Sequence, residues 1–172
     1  DGEAGNFNQG ELVGFIRMGN DFTQNYYQIE IPLRESSGAT NASPTEVWPE
    51  ENEIDIPLEL LEKIKALGIS QGSLGNDVPT FYNVIDGELQ ENPVLEFAPF
   101  SLNPNAIEQR IAIKGNPNFG DIRTLMVGVK NISDTNSQCA EVWFNELRLA
   151  DMDNEGGWAA IMSMDSNIAD FM

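Results

Sequence analysis

Along most of this chain apolar and polar residues alternate with a period of two, broken at short intervals by glycine, proline and asparagine. Glu11 to Met18 carries Leu12, Val13, Phe15 and Ile16 and reads as a first strand, closed by the turn Gly19-Asn20-Asp21. Asn25 to Leu33 is clearer. Tyr27, Ile29, Ile31 and Leu33 fall on one face and Tyr26, Gln28 and Glu30 on the other, as in a strand with one face buried. Thr80 to Ile85 and Pro93 to Phe97 flank the turn signal Asp86-Gly87. Ala106 to Lys114 sets Ile107, Ile111 and Ile113 against Glu108, Arg110 and Lys114. Gly115-Asn116-Pro117-Asn118 then marks a turn, and Ile122 to Lys130 aligns Leu125, Val127 and Val129. Glu141 to Leu149 reads as a closing strand, with Trp143, Asn145, Leu147 and Leu149 on one side and Val142, Phe144, Glu146 and Arg148 on the other.

One stretch has a different period. From Pro57 to Leu67, Leu60, Leu61, Ile64 and Leu67 make a single helical stripe, with Pro57 suited to the first turn and Gly68 to the stop. Many short strands and one short helix predict a mainly β fold, an antiparallel β-sandwich or jelly-roll-like domain. Gly156-Gly157 looks like a boundary. Residues 1–155 form the β domain in this reading, and 156–172 a linker and the start of a following amphipathic strand, in which Trp158, Ala160, Met162 and Met164 share a face. A soluble edge strand has this pattern. So does the first strand of a membrane barrel, which needs about 9–11 residues.

Composition narrows the chemistry. The net charge of −19, from 28 acidic and 9 basic residues, repels phosphate backbones and anionic membrane surfaces, so nucleic acid is not an expected partner. The chain has no histidine, which removes histidine triads and histidine-ligated zinc. Its one cysteine, Cys139, allows neither an internal disulfide nor a thiolate cluster. With so many carboxylates, no particular pair stands out as catalytic, and no enzyme activity is expected. No cofactor is expected either, with a structural calcium ion as the open question. Asp151, Asp153 and Glu155 alternate after the closing strand, near Asn145 and Glu146, but lack the spacing of an EF-hand loop, and a solvated acidic turn is the plainer reading. Trp48, Tyr26 and Tyr82 are the aromatics a sugar would stack on. The chain opens at Asp1 without a signal peptide and reads as a piece of something longer.

Several blocks together resemble a known family. They are Phe-Ile-Arg-Met-Gly-Asn-Asp-Phe-Thr-Gln-Asn-Tyr-Tyr-Gln-Ile-Glu-Ile-Pro-Leu at 15–33, Val-Trp-Pro-Glu-Glu-Asn at 47–52, Gly-Asn-Pro at 115–117, Leu-Met-Val-Gly-Val-Lys-Asn at 125–131, Glu-Val-Trp-Phe-Asn-Glu-Leu-Arg-Leu at 141–149 and Gly-Gly-Trp-Ala-Ala at 156–160. In this order they are similar to the SprA family. These are very large outer-membrane proteins of Bacteroidota, associated with gliding motility and the cell surface, which form the β-barrel translocon of the type 9 secretion system. The resemblance implies a non-enzymatic β domain inserted between barrel strands, with 158–171 leading into the next membrane strand. It implies as partners a smaller barrel shuttle protein, a plug protein and folded cargo, and a location at the outer membrane on a side left open. A carbohydrate-binding jelly-roll module of a cell-surface protein is the alternative.

Overall fold

A computed structural model describes residues 9–133, together with 137, 139–145 and 147. The described chain is mainly β. Six strands run in order: β1 (Leu12–Gly19), β2 (Tyr26–Pro32), β3 (Thr80–Ile85), β4 (Glu88–Val94), β5 (Glu108–Lys114) and β6 (Thr124–Asn131). They form one open sheet in the order β4-β3-β5-β2-β1-β6, and every neighbouring pair is antiparallel. A one-turn helix α1 (Pro44–Val47) and a longer helix α2 (Leu58–Gln71) lie in the connection from β2 to β3. The antiparallel, mainly β class expected from the alternation therefore holds, and the sheet fits a β-sandwich-like domain.

Helix α2 covers one face of the sheet. Leu61 and Ile64 are fully buried and join Tyr27, Ile29, Tyr82, Val84, Leu89, Ile111 and Ile113 in the main apolar cluster. Each such side chain taken out of water stabilises the fold by about 1.5–3 kcal/mol. The helix starts where Pro57 predicts but does not stop at Gly68. It continues to Gln71 and ends at Gly72, whose backbone is left-handed (φ 67°). Gly68 instead lies buried against Leu74, where a β-carbon would collide with the leucine side chain. It is a packing glycine within the helix.

Two strand assignments change. Asp86 and Gly87 both have positive φ (51° and 80°), the hairpin geometry Asp-Gly favours. The return strand follows at once, at Glu88–Val94 rather than Pro93–Phe97. Its exposed polar run hid it, because β4 is a sheet edge with only Leu89 buried. The closing strand expected at Glu141–Leu149 is not formed by its described part: residues 141–145 and 147 carry no ladder pairing, and 146, 148 and 149 lie outside the described residues. Leu125 and Val127, which the sequence aligns on one face, are 48% and 38% exposed, since β6 is the edge of the described sheet and contributes nothing to the cluster under α2. The proposed 155/156 boundary and the segment 158–171 also lie outside the described residues.

Candidate functional site

The second face of the sheet departs most from what the sequence predicts. All seven residues of β2 are buried, including Gln28 and Glu30, and Arg110 in β5 is fully buried rather than solvent-facing. The cover is the link from β4 to β5. Residues 95–107, which carry turns at 96–97 and 104–105 but no helix or strand, form a strap on this face that buries its own Phe100.

Arg110 holds the strap. Its Nη1 donates to the Glu96 carbonyl at 3.1 Å, its Nη2 to the Ala98 carbonyl at 2.9 Å and its Nε to Asn83 Oδ1 at 3.2 Å. The guanidinium also stacks on Phe100, 4.2 Å from the ring centroid. Burial pulls its pKa below the ordinary arginine value, while Glu30 and Glu108 push it back up. Glu108 fastens the same strap from below, accepting from the Ser101 amide at 2.6 Å and the Ser101 hydroxyl at 2.7 Å. Asn83 donates to its other oxygen at 3.1 Å. Backbone groups of a segment without secondary structure thus find partners on sheet side chains.

A polar chain runs beside this latch. Arg17 Nε donates to Gln28 Oε1 at 2.7 Å, and its guanidinium lies 4.0 Å over the Tyr26 ring. Gln28 Nε2 donates to Glu30 Oε1. Lys130 Nζ approaches the same Glu30 oxygen to 2.6 Å. That approach is a charge contact rather than an aligned hydrogen bond, for Nζ has no hydrogen-bond partner of proper angle among the described residues. Glu30 Oε2 is likewise buried without a hydrogen bond; Arg110 Nη1 stands 4.0 Å from it. Phe81 and Phe97 flank Lys130, their ring centroids 5.3 and 5.5 Å from Nζ, and Glu96 is 3.8 Å away. Lys130 reaches Glu30 from β6 across the intervening strand β1.

At one end of the sheet, two loops zip together through polar contacts. Asp21 Oδ1 accepts from the amides of Thr23, Gln24 and Asn25, and these with the Asn25 side chain hold its carboxyl far below the usual carboxylate range, the Gln24 amide contributing most. Asn25 Oδ1 accepts from the Asn116 amide, and Asn20 Oδ1 from the Asn118 amide. Gly115 (φ 64°) lies against the Gln24 carbonyl, leaving no room for a β-carbon. Asp121 pairs with Arg123 at 2.8 Å, which lowers the Asp121 pKa.

The aromatic candidates separate. Tyr26 and Tyr82 are buried, Tyr82 with its hydroxyl donating to Gln71 Oε1 at 3.1 Å, so neither offers a face to a sugar. Burial raises the pKa of both. Trp48 alone of the three is exposed, at 45%. Among the described residues no three acidic or cysteine side chains converge as a metal site would require. Asp151, Asp153, Glu155 and Glu146 lie outside the described residues. No helix among the described residues is long and apolar enough to cross a membrane.

These features define a class: an antiparallel β domain with an apolar core under a helix on one side and a latched, charge-bearing core under a strap on the other. The chain belongs to the SprA_N family, described as motility related/secretion protein, whose model matches residues 1–172. No curated protein matches it.

Proposed function

We propose that this chain is a non-enzymatic domain of a giant outer-membrane β-barrel translocon that exports folded proteins through the type 9 secretion system and supports gliding motility. The observation that carries this reading is membership, over residues 1–172, of a family of motility-related and secretion proteins. The domain's layout is consistent with a structural role. Its polar side chains on the second face are engaged with one another and with the strap, and two of the three aromatics that a sugar-binding module would use are buried. On this proposal the domain works without a cofactor, sits in the part of the parent protein outside the barrel wall, and meets the barrel shuttle protein, the plug protein or passing cargo through its surface. The high negative charge keeps that surface soluble and discourages adhesion of acidic cargo.

The test is an in-frame removal of residues 9–133 from the native gene, with barrel assembly, cargo secretion and gliding measured separately. Loss of secretion with the barrel still assembled supports the reading. Normal secretion and gliding from an assembled barrel lacking the domain sinks it.

A further inference from the structure

The chain Arg17–Gln28–Glu30–Lys130 brings together the parts of an amide-forming reaction. Lys130 supplies an amine, flanked by the rings of Phe81 and Phe97 and 17% exposed. Gln28 supplies a buried carboxamide carbon. Glu30 Oε1 touches both, 2.6 Å from Lys130 Nζ and hydrogen-bonded by Gln28 Nε2, so one carboxylate oxygen bridges nucleophile and leaving group. Arg17 Nε donates at 2.7 Å to the Gln28 carbonyl oxygen, where negative charge develops during attack. Lys130 Nζ makes no aligned hydrogen bond among the described residues, so its charge contact with Glu30 is the one that receives its proton.

We propose that Lys130 and Gln28 form an intramolecular isopeptide bond, with Glu30 as the proton carrier and Arg17 as the oxyanion donor. The Lys130 ammonium gives one proton to Glu30 Oε1. The freed amine attacks Cδ of Gln28, and the carbonyl electron pair moves to Oε1 under the Arg17 N–H. As the intermediate collapses, the C–N bond to Nε2 breaks. The leaving nitrogen takes the proton from Glu30 and the second proton from the amine nitrogen, and departs as ammonium. One ammonium side chain and one primary amide become one secondary amide and one ammonium ion. Charge is conserved, nothing is oxidised or reduced, and Glu30 ends ionised beside Arg110. Burial replaces solvent around the reacting groups with fixed dipoles, and Glu30 Oε1 contacts both the amine and the amide nitrogen between which the proton passes. The product braces β2 to β6 across β1.

The experiment is mass spectrometry of the 172-residue chain, after a cooperative thermal transition has shown that the sample is folded. The expected intact mass is lower than the sequence mass by one ammonia molecule. Trypsin should release a joined species of Met18–Arg34 and Thr124–Arg148, with Lys130 uncleaved. Lys130→Arg and Glu30→Gln should each restore the full mass. A folded wild-type chain of full mass overturns the proposal. So does a water-loss species joined through Glu30 instead of Gln28, and so does a folded Glu30→Gln chain that still loses ammonia.

Discussion

Replacing Arg110 by methionine tests the account of the second face. Methionine keeps much of the volume, so the loss is chiefly that of the guanidinium. Three hydrogen bonds disappear, to Asn83 and to the Glu96 and Ala98 carbonyls, together with the stacking on Phe100. Two strap carbonyls lose their donors, and Glu30 loses the buried Arg110 charge 4.0 Å away. Removing one member of a buried charge pair costs about 3–5 kcal/mol, chiefly because the remaining charge stays buried. Total stabilities run about 5–15 kcal/mol, so this is a large share. At about 2–4 °C per kcal/mol for a chain of this size, Tm should fall by roughly 6–20 °C. The damage should also be local. Chymotrypsin should cut at Phe97 and Phe100 faster in the variant, well below its Tm, because the strap depends on Arg110 for its backbone partners. Arg110→Lys should fall between, since a single ammonium cannot serve both carbonyls in the fork geometry of arginine. An Arg110→Met chain with Tm within about 2 °C of wild type and an equally resistant strap would falsify the latch.

Other outcomes follow from the same structure. Gly115→Ala should cost at least about 1–2 kcal/mol for the left-handed backbone alone, with the clash against the Gln24 carbonyl added, whereas Gly72→Asn, at a similar φ with nothing near its β-carbon, should cost well under 1 kcal/mol; chemical denaturation of the two variants compares them. Ile64→Ala, in the fully buried stripe of α2, should cost about 2–5 kcal/mol by the same method. Asp21→Ala should lower Tm at pH 7. A carboxylate with a depressed folded pKa contributes fully above its unfolded value of about 3.9 and loses that contribution as pH falls towards the folded one, so the Tm gap to wild type should narrow below about pH 4. A gap constant from pH 7 to pH 2.5 would show that the Asp21 charge is not what holds the turn.

The strands were legible because period two records which residues share a face. It does not record whether the second face is covered. Gln28 and Glu30 read as solvent-facing, yet the strap buries them, and its anchor Arg110 lies 80 residues beyond Glu30 in sequence. A residue-level clue was present: Ala112 stands between Arg110 and Lys114 where a solvent face would carry a polar side chain, and it is fully buried against Phe81 across the ladder. Gly68 was misread as a stop because a packing glycine and a C-terminal glycine look alike until Leu74 is placed. The β4 strand was misplaced because an acidic edge strand lacks apolar alternation. The Lys130–Glu30 contact joins residues 100 positions apart and could not be seen from spacing at all.

The central functional claim is that this domain belongs to a very large outer-membrane secretion protein, and the size and location of the native polypeptide test it most directly. An antibody raised against residues 9–133 should be used on fractionated cells. The account predicts a band far heavier than 19.0 kDa in the outer-membrane fraction. A soluble band near 19.0 kDa would contradict it.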